Sequence, residues 1–415
     1  MVKKIKKTID GKKNLLSNIF SLFVLQGANY ILPLITLPYL VIVLGVEKFG
    51  ILAFANAIII YFSILIDYGF NLSGTREISV NRENKTVISE IFTSIMIIKS
   101  ILLIISFIIL YFLVISFDKL ELYQDVYIFT ALSLIGKVLF PVWFFQGIEK
   151  MKYITFLNIG SKLFFTLLIF VLVKDESDFV LVPLINSIGI IIGGIIALLI
   201  ALKEVKFRLI SVKTIRNNFN NSTSLFISNL SITLFTASNT LILGLFADNS
   251  IVGIYSSIER LIFAVKNLVT PIYQGLFPWL SKKTFGDIKI FVKNILPYIF
   301  FVSAIISIFI YTYADNILEL IYHDDKIMQY SYILKIFSLV PFLSALNMLY
   351  NFLYYNAIKA YSTRMKIFLI AGIFNIIVGY ILTSTYLIIG ITISVVLTEV
   401  LLLILGIYFK DKKYE

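Results

Sequence analysis

QGANYILPLITLPYLVIVLGVEKFGILAFANAIIIYFSILIDYGFNLSGTREIS, residues 26–79, decides the fold of this chain. Two apolar runs flank the short polar turn Gly45-Val46-Glu47-Lys48. Each run is long enough to cross a bilayer, which takes about 20 apolar residues. The first holds Pro33 and Pro38. A proline inside a helix removes a backbone donor and clashes one turn back, so this helix is expected to bend. The second carries Asn56, Ser63 and Asp67, whose spacings of seven and four place them on one helical face. A bent helix paired with a polar-striped one is the anatomy of a wall around a hydrophilic cavity in a membrane.

Composition agrees. Of 415 residues, 59% are hydrophobic and only 14% charged, with a mean hydropathy of +0.94. Soluble domains carry roughly 25% charged residues, so the class is integral membrane protein. There are no cysteines, which excludes disulfides, thiolate metal sites and cysteine nucleophiles. The single histidine, His323, sits in His323-Asp324-Asp325-Lys326, a solvated loop rather than a metal site, since a lone ligand binds poorly. No nucleophile–base pair, Gly-rich phosphate loop or Walker sequence is present, so neither an enzyme nor an ATPase is read, and no cofactor or metal is expected. The start, MVKKIKKTIDGKKNLLSNIF, resembles the n-region of a signal peptide but lacks a small-residue cleavage site, which reads as an uncleaved first span.

Apolar length gives about twelve spans, roughly 15–44, 49–70, 89–116, 124–146, 153–173, 180–202, 222–246, 251–279, 290–313, 329–355, 365–384 and 387–409. The net charge of +12 invites a nucleic-acid reading, but the basic residues sit in short loops between spans, as positive-inside topology requires. With both termini cytoplasmic, the cytoplasmic segments hold about 26 Lys and Arg and the opposite loops about 4. The opposite loops are acidic, with Asp118, Glu121, Asp125, Asp175, Glu176, Asp178, Asp315, Glu319, Asp324 and Asp325. The basic stretch 203–221 divides the chain into lobes of six spans, 1–202 and 222–415. A short internal repeat supports that division: superposing Gly50 on Gly253 places Asn56 on Glu259. Repeats of this kind recur in transporters, with the binding site between the halves.

The chemistry lies in charges far from any loop. Lys99, Lys137 and Lys162 fall within spans three, four and five, and Glu259, Arg260 and Lys266 within span eight. A charge at membrane depth costs at least about 2.5–3.5 kcal/mol, so several together need a reason. One account is a water-filled cationic chamber that receives an anionic group. The other is intramembrane ion pairing, for instance Asp67 or Glu259 with a lysine. The stripes Thr130, Ser133, Lys137 and Ser256, Glu259, Lys266, Thr270, Tyr273 favour the chamber. Lys335, near the outer end of its span, reads as snorkelling.

NYILPLITLPYLVIVLGVEKFG (29–50) followed by DYGFNLSGTREIS (67–79) resembles the O-antigen flippases (Wzx-type), the polysaccharide-transport branch of the multidrug, oligosaccharidyl-lipid and polysaccharide exporter superfamily. Phe140 to Met151 is a second matching block, and Gly160 to Phe170, with Lys162, a third. The resemblance implies an all-α membrane protein of two six-helix lobes around a central cavity, rocking between inward- and outward-open states in a bacterial inner membrane. It also implies a substrate, an undecaprenyl-diphosphate-linked oligosaccharide moved from the cytoplasmic to the periplasmic leaflet, and glycan polymerase and chain-length machinery as partners. Lys137, Lys162, Arg260 and Lys266, with Lys99, would neutralise the diphosphate. Tyr30 and Trp143 would suit a sugar, and Asn56, Asp67 and Glu259 are the polar and coupling candidates, the carboxylates for a proton or sodium gradient. The prenyl tail would stay in lipid and enter beside spans one and eight.

Three alternatives stand beside this. A flippase for another polyprenyl-linked glycan, such as a capsule unit or cell-wall precursor, has the same sequence signature. A cation-coupled small-molecule exporter would prefer carboxylates in the chamber, where lysines dominate here. A non-transporting scaffold for glycan assembly would tolerate loss of the buried charges.

Overall fold

The computed structural model describes the backbone of residues 2–281 and 283–412. It describes side chains from Leu32 onward, apart from Phe235, Pro271, Gln274, Pro278 and the residues after Phe409. The side chain of Tyr30 and the lysines Lys3–Lys13, Lys282, Lys410, Lys412 and Lys413 lie outside the described residues. Every regular element described is helical. The chain forms two compact units, one of Met1–Thr36 and Ile58–Asn229, the other of Leu37–Ala57 and Leu230–Glu415.

The opening hairpin is one long helix, α1 (Val2–Asp67), interrupted only at Gly45, where φ is 72° and ψ 162°. The turn expected over Gly45–Lys48 is therefore a single residue. Glycine reaches positive φ without a Cβ penalty, and Val46 already belongs to the next helix. Helical backbone continues through Pro33 and Pro38. A second interruption follows at Tyr68 and Gly69, with φ of 41° and 80°, before α2 (Phe70–Val80).

The first unit continues with α3 (Lys85–Ser116), α4 (Gln124–Leu139), α5 (Val142–Gly147), α6 (Met151–Leu172), α7 (Leu181–Ala201) and α8 (Val212–Thr236), the last leaving the unit after Asn229. Small residues let α4 and α7 meet backbone to backbone: a Cβ on Gly136 would lie 2.6 Å from the Ile190 carbonyl carbon, and one on Gly194 2.5 Å from Gly136 O. Such close approach is how helices associate where no hydrophobic force acts between them. It fixes α4 one residue before Lys137. At the break after α1, the Tyr68 ring stacks on Phe219 (4.2 Å between centroids) and Phe226 (4.7 Å), and its hydroxyl lies 3.2 Å from Thr223 Oγ1. The broken end of span two is thereby anchored to α8. Outer faces are apolar, with Ile101, Ile104, Ile108 and Phe112 of α3 all exposed, which suits lipid rather than water.

The second unit holds α9 (Ser238–Phe246), α10 (Asn249–Leu268), α11 (Thr270–Leu280), α12 (Phe285–Thr312), α13 (Ala314–Tyr322), α14 (Ser331–Phe337), α15 (Leu339–Asn347) and α16 (Tyr361–Lys412), the last interrupted at Leu387 (φ 48°). A π-helical turn, Met348–Tyr354, follows α15. Leu349, Tyr350 and Leu353 of that turn belong, with Ile367, Ala371 and Leu402 of α16, to one buried apolar cluster of this unit. The start of the second half of α1 packs on α10 through glycine. A Cβ on Gly50 would strike Asn249 O and lie 2.8 Å from Gly253 N; one on Gly253 would strike Val46 O and lie 3.0 Å from Gly50 N. The pairing has the same register as the internal repeat.

Among the described residues, eight helical stretches are long and apolar enough to cross a membrane, nine if α8 and α9, bent by 51°, form one span. Two of the eight, Leu32–Val80 and Tyr361–Phe409, are 49 residues long, about twice what one crossing needs. The pair α10–α11 is long enough as well but carries Glu259, Arg260 and Lys266. The fold is that of an all-α, multi-pass membrane protein.

Candidate functional site

Two helices of the first unit break at one pocket. Span two breaks at Tyr68–Gly69, just after Asp67. Span four, expected to be continuous over 124–146, ends at Leu139 and resumes at Val142. Pro141 explains the second break. An α-helix would bond the Lys137 carbonyl to the N–H of residue 141, and proline has none. The orphaned carbonyl accepts instead from Lys99 Nζ at 3.2 Å. The same ammonium, 1% exposed, pairs with Asp67 Oδ1 at 3.1 Å. Lys99 therefore ties the two breaks together, one through a side chain and one through a freed backbone group. A buried charge is tolerated only with such partners.

Above this brace lies a pocket of about 310 Å³ lined by Ser63, Asp67, Lys137, Lys162, Asn158 and Asn186 among others. Lys137 Nζ donates to Ser63 Oγ at 2.7 Å. Lys162 stands on α6 four residues after Asn158, on the same face. Lys137 and Lys162 thus line one pocket with a single carboxylate, Asp67, which is already paired with Lys99. The surplus positive charge is suited to hold an anionic group in a setting of weak dielectric screening. Broken helices of this kind line binding cavities in transporters, where irregular backbone is tolerated at membrane depth.

The remaining charged candidates stand in the second unit. Lys266 donates to Glu399 Oε1 at 2.7 Å, and Asn347 Nδ2 donates to Glu399 Oε2 at 2.6 Å, with Glu399 1% exposed. Glu399 went unread in the sequence, although a lone glutamate in the apolar run of the last span is its signal. Glu259, 7% exposed, accepts from Tyr255 Oη at 2.8 Å and from Asn239 and Thr240 at 3.5 Å. The Arg260 guanidinium lies 5.0 Å over the Phe49 ring, a cation–π contact. Asn56 is exposed on the Leu37–Ala57 segment and does not line the pocket of Lys137.

Other expectations fall differently. Trp143 is fully buried against Phe92 and Phe144, in the core rather than on a cavity wall. Lys335 pairs with Asp315 at 2.7 Å, both partly exposed. The hydroxyls of Thr130 and Ser133 donate to carbonyls of their own helix, so the stripe that pointed to Lys137 supplies none of its partners. Among the described residues, no group of three His, Cys, Asp or Glu side chains is placed to hold a metal ion.

A profile of the polysaccharide biosynthesis protein family matches residues 15–284. A protein of Escherichia coli (strain K12) named "Putative O-antigen transporter" is 30% identical over 409 residues, covering 96% of this chain and 97% of its own. A second protein of that name, from Shigella dysenteriae, is 32% identical over 272 residues, covering 64% and 67%. Two solved structures share the fold at low identity. One is an inward-facing multidrug resistance MATE family transporter of the MOP superfamily (TM-score 0.70, 12% identity, 91% of this chain and 94% of that one). The other is the lipid II flippase MurJ in an inward closed conformation (TM-score 0.71, 13% identity, 95% and 87%). Matched by the profile over most of its length and by the first relative over nearly all of it, the chain belongs to the polysaccharide biosynthesis protein family, in the O-antigen transporter branch that its opening hairpin resembles.

Proposed function

We propose that this protein is a flippase. Its substrate is an undecaprenyl-diphosphate-linked repeat unit of O-antigen or a related surface polysaccharide, carried by alternating access from the cytoplasmic to the periplasmic leaflet. The observation that carries the reading is the pocket lined by Lys137 and Lys162, whose one carboxylate, Asp67, is already engaged by Lys99, inside a bundle of apolar helices. A diphosphate brings the negative charge that this surplus lacks. The names of the relatives, O-antigen transporters, and of one structural neighbour, a lipid II flippase, support the same substrate class. Lys137 and Lys162 hold the diphosphate, while Lys99 is fixed beneath them as a brace. In the second unit Lys266 and Glu399 serve the fold of that unit.

The membrane arrangement that goes with this reading has twelve spans. Counting the double-length stretches twice, the bent pair once and α10–α11 once reaches that number. Both termini are cytoplasmic, the membrane is the bacterial inner membrane, and 1–202 and 222–415 are the two lobes joined by 203–221. Asp67 and Glu259 are the carboxylates through which a proton or sodium gradient would couple.

The test replaces Lys137 and Lys162 singly with Ala and with Arg in a strain lacking the native gene, with membrane abundance checked and surface glycan measured. Loss with Ala and retention with Arg are expected. Normal glycan from both Ala variants at normal abundance would overturn the assignment of this pocket.

A further inference from the structure

Four buried asparagines of the second unit donate their amide N–H groups to protein acceptors. Asn239 reaches Glu259, Asn347 reaches Glu399, Asn351 reaches Leu402 O, and Asn375 bonds Ser394 and Thr398. The pocket of Lys137 departs from that pattern. Asn71 on α2, Asn158 on α6 and Asn186 on α7 all line it, all are half-buried, and among the described residues none of their carboxamides has a hydrogen-bond partner. Three different helices thus bring three amides without a protein partner to one cavity. Their polar atoms stay open to the cavity, where a ligand can bond them.

The chemistry of the amide says what that something is. An ammonium only donates and a phosphate oxygen only accepts, so lysines are complete partners for a diphosphate. A carboxamide both accepts and donates. Its carbonyl has no use for a phosphate, but it matches a hydroxyl or an N-acetyl N–H. We infer that Asn71, Asn158 and Asn186 form a sugar-reading subsite beside the lysines, one that bonds the hydroxyl or acetamido groups of the ring attached directly to the diphosphate. This rests on the diphosphate reading of Lys137 and Lys162. Size limits the reach of the subsite. The pocket of about 310 Å³ is at the small end of ligand cavities, which run from about 300 to 1,000 Å³. It takes one ring and its phosphates, so the outer sugars of a repeat unit go unread there.

The experiment uses the purified full-length chain in lipid nanodiscs and two probes, undecaprenyl diphosphate alone and the same lipid bearing one N-acetylhexosamine. The wild type is expected to bind the sugar-bearing lipid about tenfold more tightly, the size of one or two well-made hydrogen bonds. Asn71→Ala, Asn158→Ala and Asn186→Ala are expected to shrink that ratio toward one while leaving affinity for the bare lipid intact. Lys137→Ala is expected to weaken both probes together. Where an alanine variant is not monodisperse, Asn→Ser at the same position supplies the measurement, with a ratio between wild type and one. Equal binding of the two probes by the wild type, or an unchanged ratio in all three variants, overturns the subsite and leaves the lysine reading standing. Bare-lipid affinity untouched by Lys137→Ala removes the underlying reading instead.

Discussion

Gly50 and Gly253 face one another across a contact made of backbone alone, each lying where a Cβ would strike the carbonyl oxygen four residues before the other. Nothing in this contact can repack by changing rotamer. Gly50→Ala and Gly253→Ala should each lower stability by about 1–3 kcal/mol or more, as overpacking does. Gly286→Ala meets nothing within 4 Å and stands in the first turn of α12, so it should be neutral or slightly stabilising. Thermal stability in detergent, read for all three variants, checks the contrast.

Pro141→Ala restores the N–H that the Lys137 carbonyl lacks. The helix can then continue through residue 140, and Lys99 loses one of its two acceptors. Normal membrane abundance with loss of most surface glycan is the expected outcome. Full export by Pro141→Ala would show that the break in span four is not needed for function.

The Lys99–Asp67 pair should behave as a buried charge pair. Asp67→Asn alone strands an ammonium that is 1% exposed, a loss of about 3 kcal/mol at the lower end for buried pairs, since the carboxylate is itself a third open to the pocket. Lys99→Met combined with Asp67→Asn should recover much of the lost stability. Unfolding midpoints of the two single variants and the double variant give the coupling directly.

Lys266 and Glu399 provide the contrast between a structural pair and a ligand site. Glu399→Gln and Lys266→Met should each reduce the folded yield, and the double variant should restore both yield and surface glycan. If the double variant folds well yet exports nothing, Lys266 belongs with the substrate after all.

Tyr68 is held by two ring stacks and one hydroxyl contact. Tyr68→Phe removes only the hydroxyl contact and should cost about 1 kcal/mol. Tyr68→Ala removes the stacks and should cost about 3–5 kcal/mol. Similar melting temperatures for the two would argue that the anchor to α8 is weak.

Much of this architecture is legible in the chain, and the limits follow from the physics. Apolar length and the loop charges mark spans because lipid leaves the backbone few alternatives. Lys137 and Lys162 stand out because a charge in such a run is costly. Which residues meet them depends on how helices pack, and no spacing rule encodes that. The stripe of Thr130, Ser133 and Lys137 turned out to bond its own helix, while Ser63, on another span, holds the ammonium. Pro141 was the readable sign of the break in span four, as Glu399 was of the partner of Lys266. Asn158, four residues before Lys162, was visible as a shared face. Asn71 and Asn186 were not, because only the folded unit brings their helices to the pocket.

The breaks at Asp67 and Leu139 have one more effect. Both α1 and α4 end at this pocket by their C-termini, and a helix C-terminus carries about half a negative charge. The lysines are therefore counter-ions to the chain's own peptide dipoles before any ligand arrives. An arriving phosphate must share them with two helix ends, and the grip it receives is weaker than a count of the two pocket lysines suggests. For a carrier that must surrender its cargo on the far side of a membrane, a site already half satisfied is one that can let go.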